Sequence, residues 1–164
     1  YEASTSKNYH GMPLSLLCGI DKKKIPIDFI KTFLKPEQIL YIGIRDIDPF
    51  EKELLISEKI KYITVDELNS NINNCWNTIN DFIKNDPVHF SFDVDSLDPS
   101  VMPLTGTTAP NGISIEIAEY LIDKLMKTNL KSVDITELNL SLGSAKEKGL
   151  SIINFIHLFE KYIF

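Results

Sequence analysis

The chain alternates between short apolar runs and longer stretches in which apolar residues return every three or four positions. The runs cover residues 39–44, 61–64, 88–93 and 132–136, and their length and β-branched or aromatic content predict strands. The stretches between them read as helices. Met12-Pro13-Leu14 starts a short one, with Pro13 suited to a first turn. Asp48-Pro49-Phe50-Glu51 turns into a second, running through Leu54 and Leu55. Thr64 and Glu67 have the spacing of a capping box. The helix they predict carries Leu68, Ile72, Cys75, Trp76, Ile79, Phe82 and Ile83 on one face, with Trp76 as a core anchor. Ser114 opens a helix bearing Ile117, Leu121, Ile122 and Leu125. Ser144 and Glu147 form another capping box, ahead of a helix that reaches nearly to the C-terminus.

Strands separated by amphipathic helices predict βαβ units, an α/β fold and a mostly parallel sheet. The strands are nearly continuous in apolar residues, which predicts helices on both faces of that sheet.

A length of 164 residues fits one domain with a real core. The net charge of −6 argues against binding a phosphate backbone, so no nucleic-acid partner is expected. No apolar run reaches the ~20 residues of a membrane span, and no membrane partner is expected. Cys18 and Cys75 lie far apart without metal-ligand spacing and read as thiols of a reducing, cytoplasmic setting. The opening Tyr1-Glu2-Ala3-Ser4-Thr5-Ser6 reads as part of a longer chain.

Candidate chemistry gathers where the strands end. The first ends in Arg45-Asp46-Ile47-Asp48, the third in Asp93-Val94-Asp95, and the fourth in Glu137-Leu138-Asn139. Ligands of open α/β sheets bind beyond the carboxyl ends of the strands. Carboxylates crowded there repel one another, and a bound cation is the simplest compensation. Residues i and i+2 of a strand share a face, so Asp93 and Asp95 can converge on one hard ion such as Mg²⁺ or Mn²⁺. The competing reading makes the acids turn formers; it is preferred for Asp98, ahead of Pro99. Asp-x-Asp at a strand end also suits Mn²⁺ held against a diphosphate, as in glycosyltransferases. Of the histidines, His157 reads as a packing or surface residue and His89 as hydrogen-bonded structure. His10, in an Asn-Tyr-His-Gly loop, is placed for proton exchange near neutral pH.

These pieces, in this order, resemble the arginase branch of the ureohydrolase family. The matching segments are Ser6-Lys7-Asn8-Tyr9-His10-Gly11, Gly43-Ile44-Arg45-Asp46-Ile47-Asp48-Pro49-Phe50-Glu51, Ser91-Phe92-Asp93-Val94-Asp95-Ser96-Leu97-Asp98-Pro99, Thr105-Gly106-Thr107 and Asp134-Ile135-Thr136-Glu137-Leu138-Asn139. The resemblance implies a three-layer αβα fold of the arginase and deacetylase kind. Residues 1–164 would be the C-terminal portion of a single domain, incomplete on its N-terminal side. It implies hydrolysis of L-arginine to L-ornithine and urea, a polyamine precursor route, by a hydroxide bridging two Mn²⁺ ions. Asp93 and Asp95 match metal ligands, Glu137 the partner of the substrate guanidinium, and His10 a proton shuttle. Ser4, Ser6 and Asn8 match the loop that receives the substrate carboxylate. Asp48 matches the acceptor for its α-ammonium, with Glu51 assisting, and Thr107 lines the site. A homotrimer in the cytoplasm is implied as well.

The chain departs from the family in places. Ser96 stands where glycine is usual, and Lys7 where a small residue is common. The Gly-Gly-Asp-His and Asp-Ala-His-x-Asp segments that supply the family's other metal ligands do not occur here, so this chain alone is expected to be inactive. An agmatinase-type ureohydrolase and a non-catalytic arginase homologue are the alternatives. The Ser-x-Asn-x-His-Gly loop favours arginine, because agmatine has no carboxylate to recognise.

Overall fold

The computed structural model describes residues 7–20 and 33–163. Two compact units emerge, Tyr1–Tyr41 with Ile47–Lys61 and Ile42–Asp46 with Tyr62–Phe164, and each is described by itself.

In the first unit a 3-10 turn at Tyr9–Gly11 leads into α1 (Pro13–Leu17), which has proline in its first turn as the sequence predicts. The helix α2 (Pro49–Ser57) follows Asp48, whose N–H donates to Glu51 Oε2 at 3.1 Å. It closes through Lys59, which takes a left-handed φ of 57°, while Ile60 N–H returns to Leu55 O at 2.9 Å. Among the described residues of this unit, Ile39, Leu55 and Ile60 are the buried apolar ones.

Strands β1 (Leu40–Ile44) and β2 (Lys61–Thr64) form a two-stranded sheet. In the second unit β3 (Val88–Asp93) and β4 (Leu130–Thr136) form another, and these two are parallel. Their register sets Phe92 opposite Ile135 and Asp93 opposite Thr136. The crossover between them contains α5 (Ile115–Leu125), capped by Ser114 as predicted. The last helix, α6 (Ala145–Ile163), starts at the Ser144–Glu147 box, where Ser144 N–H and hydroxyl both meet Glu147 Oε2 at 2.7 Å. Phe92 of β3 packs edge-on against Phe159 of α6, with centroids 5.4 Å apart. Val94, Leu104, Leu158, Leu97 and Ile122 lie at the centre of this core. Glu119 and Asp123 of α5 face Lys161 of α6 at 3.8 and 2.5 Å, and Tyr162 donates its hydroxyl to Asp123.

Four details differ from the sequence reading. The helix expected after Thr64 is two helices, α3 (Val65–Ser70) and α4 (Ile72–Ile83). Asn71 breaks it with extended backbone and uses its side chain to accept Asn74 N–H at 3.0 Å, a capping bond that competes with helix propagation. Trp76 is half-buried, with Lys124 Nζ 5.8 Å from its ring centre, so Cys75, Ile79 and Ile83 anchor α4 in the core instead. β4 begins two residues earlier than expected and is exposed from Lys131 to Asp134. The two strands therefore have one apolar face and one wet one. On the wet face His89 Nδ1 lies 2.8 Å from Ser132 Oγ and Nε2 lies 3.1 Å from Asp134, whose other oxygen accepts Ser91 Oγ–H at 2.5 Å. His89 is thus hydrogen-bonded structure, as read from sequence. His157 lies half-exposed, 3.6 Å from Glu119. Cys18 and Cys75 are free thiols, both pushed above the ordinary thiol value chiefly by burial. Among the described residues no helix is long and apolar enough to cross a membrane.

Candidate active site

Strand β3 is built to be rigid underneath and charged at its tip. Phe92 is buried on α6, and the chain beyond Asp93 tightens at once into a 3-10 turn, Val94–Ser96, with Val94 fully buried. That turn changes the geometry expected of Asp-x-Asp. Asp93 is the N-cap of the turn, and its Oδ1 accepts Asp95 N–H at 3.2 Å. The two carboxyl groups are thereby held together, both half-buried. Burial pushes the Asp95 carboxyl up to about 6, with the charge of Asp93 and a side-chain bond to it adding to the effect. Arg45 opposes the shift and Glu137 reinforces it.

The loop that follows is closed by Asp98. Its Oδ1 accepts Ser100 N–H at 2.9 Å and Ser100 Oγ–H at 2.6 Å, and its Oδ2 accepts Gly112 N–H at 3.1 Å. These bonds hold the Asp98 carboxyl below its ordinary value, the Ser100 hydroxyl foremost. The preference for Asp98 as a turn former agrees with this arrangement. A backbone clasp completes the loop: Ile113 N–H donates to Ser96 O and Asp98 N–H to Ile113 O, both at 3.0 Å.

Glu137 follows the last residue of β4 with a left-handed φ of 67°, a conformation rare outside glycine and asparagine. Such strain persists only where surroundings impose it. Here Asn139 N–H bonds Leu104 O at 2.9 Å, tying this turn to the Thr105-Gly106-Thr107 loop. A methyl group on Gly106 would lie 3.9 Å from Glu137 Oε2, so the glutamate leans over that loop. Thr107 is exposed, and its carbonyl accepts the buried Thr105 hydroxyl at 3.3 Å. Asp93, Asp95, Glu137 and Thr107 all belong to the second unit.

His10, Asn8, Asp48 and Glu51 belong to the first. His10 is exposed in the 3-10 turn, Asn8 precedes that turn, and Asp48 and Glu51 begin α2. Ser4 and Ser6 lie outside the described residues. Arg45 was not singled out by the sequence reading. It follows β1 and donates to four main-chain carbonyls: Asp95 O at 2.6 Å, Ala109 O at 3.0 Å, Pro110 O at 3.2 Å and Ser96 O at 3.3 Å. The signal was an arginine directly behind an apolar strand, where a permanent charge needs partners.

The Asp93–Asp95 pair suits a hard divalent cation in kind, since both offer carboxylate oxygen and a cation would relieve their repulsion. It does not suffice in number: among the described residues no group of three or more His, Cys, Asp or Glu side chains is placed to hold a metal ion.

A family model described as "Arginase family" matches residues 1–157. An arginase of Glaciozyma antarctica (strain PI12) is 40% identical over 148 residues, which cover 85% of this chain and 43% of that protein. Arginase-1 of Homo sapiens is 36% identical over 160 residues, 92% of this chain and 50% of that protein. The crystal structure of Entamoeba histolytica arginase in complex with L-ornithine matches with a TM-score of 0.82 at 30% identity, over 96% of this chain and 54% of that one. The chain spans about half the length of the curated relatives it matches.

Proposed function

Because the chain belongs to the arginase family, we propose that it forms the C-terminal portion of a single-domain enzyme hydrolysing L-arginine to L-ornithine and urea. The observation that carries this reading is the half-buried Asp93–Asp95 pair, in which burial first and the charge of Asp93 next oppose ionisation of the Asp95 carboxyl. A carboxyl pair kept in that state gains most from a cation. Asp93 and Asp95 supply two ligands to divalent manganese, and the remaining ligands come from sequence outside these residues. When bound, such ions supply Lewis acidity that makes water a nucleophile near neutral pH.

The other roles fall to residues of this chain. Glu137 accepts the substrate guanidinium, for which a carboxylate offers a two-oxygen match. What supports this role is that its left-handed backbone and the Asn139–Leu104 bond tie the Glu137 turn to the Thr105-Gly106-Thr107 loop. Thr107 lines the same loop. Ser4, Ser6 and Asn8 receive the α-carboxylate, and Asp48, assisted by Glu51, the α-ammonium. In the reaction the oxygen of water joins the guanidinium carbon and the carbon–nitrogen bond to the ornithine side chain breaks. The leaving nitrogen takes up a proton, which His10 delivers. A solved relative described as a complex with L-ornithine supports this product. We place the protein in the cytoplasm as a homotrimer.

The test is urea release by the complete protein with Mn²⁺, comparing L-arginine with agmatine. Arginine is expected to be the better substrate by at least about 100-fold, because a site built to bond a carboxylate rejects an analogue lacking it. Preference for agmatine would overturn the substrate assignment. Glu137→Gln is expected to lower the rate by about 100-fold or more, on the scale of losing a charged transition-state contact; an unchanged rate would remove the guanidinium role.

A further inference from the structure

Asp95 is held at two points of its main chain. Its N–H reaches back to Asp93 Oδ1 at 3.2 Å. Its carbonyl accepts Arg45 Nη2–H at 2.6 Å, the shortest of the four Arg45 bonds. The pattern of those four bonds is specific. Arg45 takes two consecutive carbonyls from one loop, Asp95 and Ser96, and two consecutive carbonyls from another, Ala109 and Pro110. Only a planar fork with donors spread along its edges spans four oxygens so arranged. All four bonds end on main-chain oxygen, so the guanidinium grips the backbone beneath the acid pair.

From this geometry we propose that Arg45 is a positioning residue for the cation site, fixing the main chain of Asp95 so that its carboxylate stays beside that of Asp93. The inference rests on the metal reading given above and assigns Arg45 a role within it.

The fold supplies a second set of bonds that separates positioning from folding. The clasp between Ser96–Asp98 and Gly112–Ile113 closes the loop through Ile113 N–H to Ser96 O, Asp98 N–H to Ile113 O and Gly112 N–H to Asp98 Oδ2. None of these three has Arg45 as its donor, although Ser96 O accepts from Arg45 Nη1 as well as from Ile113 N–H. Removing the Arg45 side chain leaves those three bonds in place and takes the side-chain donor from the carbonyls of Asp95, Ser96, Ala109 and Pro110, of which the Asp95 carbonyl is the one on the acid pair itself. The loss then appears in how well the two carboxylates converge, and residues that orient metal ligands in this manner typically cost about 10–100-fold in metal affinity when removed.

The experiment uses the complete protein, stripped of metal and titrated with MnCl₂ while the signal of free Mn²⁺ is followed by electron paramagnetic resonance. Wild type, Arg45→Lys and Arg45→Met are compared, with the melting temperature of each metal-free protein measured in parallel. Both variants are expected to bind Mn²⁺ about 10–100-fold more weakly, to melt close to wild type without metal, and to show an altered bound-Mn²⁺ spectrum. Arg45→Lys is expected to do no better than Arg45→Met, because lysine keeps the charge and loses the fork. Wild-type affinity in Arg45→Lys would reduce the effect to charge, and wild-type affinity in both variants would remove it; either overturns the proposal and leaves the metal reading standing. Failure of both variants to fold would assign Arg45 to the core and overturn it too. If wild type itself binds no Mn²⁺, the metal reading fails and this role fails with it.

Discussion

Oδ1 of Asp93 accepts the main-chain N–H of Asp95 at 3.2 Å, so the first acid of the pair dictates where the second begins. The bond turns β3 into a 3-10 turn at the point where the strand would otherwise have carried Asp95 further along the same face. Both carboxyl groups are therefore crowded over a core that cannot solvate them.

That crowding has a sign that can be measured. The Asp95 carboxyl is pushed from its ordinary 3.8 up to about 6, so ionising it costs the folded state. Stability from the protonated acid is complete below 3.8 and is lost as pH rises through about 6. Linkage makes this shift worth about 3 kcal/mol, which solvent screening around a half-buried group reduces to about 1–2 kcal/mol. Asp95→Asn is thus expected to stabilise the metal-free protein by about 1–2 kcal/mol at pH 8 and by little at pH 4. Urea denaturation at the two pH values checks it; equal effects at both would contradict the electrostatic account.

The opposite slope is expected from the capping carboxylates. Bonds to the Thr64 N–H and hydroxyl hold Glu67 below its ordinary value, and Glu147 is lowered in the same way by Ser144. Their contribution is present above the ordinary carboxylate value and is lost as pH falls through the lowered ones. Thr64→Ala is expected to cost about 1 kcal/mol at pH 7 and distinctly less at pH 3, as read by thermal melts. A pH-independent cost would contradict the share of the Glu67 carboxylate in this box.

Gly112 leaves no room for a side chain. A methyl group there would meet Asp98 Cα at 2.6 Å and the neighbouring main-chain atoms closer still. No rotamer change relieves a main-chain clash. Gly112→Ala is expected to destabilise by about 3 kcal/mol or more and to loosen the loop behind Asp95. A melt within a degree or two of wild type would show that the clasp is adaptable.

Ser151 is fully buried on α6, and among the described residues its hydroxyl has no hydrogen-bond partner. Ser151→Ala removes an unsatisfied polar group without leaving a large void, and a gain of about 1 kcal/mol is expected. Destabilisation in denaturant melts would show that the hydroxyl is satisfied.

Local signals carried far in the sequence. The Thr64–Glu67 and Ser144–Glu147 boxes, the Ser114 cap and Pro13 each start a helix where they were read, because a cap needs only residues three or four apart. Asp98 was legible as a turn former for the same reason. The break at Asn71 was hidden because the apolar stripe runs on across it; a single side chain offering a cap outweighed the periodicity. Trp76 lies on that stripe but at its margin, where an indole can stay half-wet beside Lys124. The wet face of β3 and β4 was missed because His89, Ser91, Ser132 and Asp134 satisfy one another only once the parallel register is known. Arg45 escaped for a related reason: its four partners are main-chain oxygens, which leave no mark in a sequence. The acid pair was legible as a candidate cation site, whereas the turn that bends Asp95 toward Asp93 was not.

We propose that this bent acid pair holds divalent ions. Anomalous scattering at the manganese edge, from crystals of the complete protein grown with Mn²⁺, tests it most directly. A peak is expected within bonding distance of carboxylate oxygens from both Asp93 and Asp95. Peaks found only elsewhere, with the two carboxylates left to water, would contradict it.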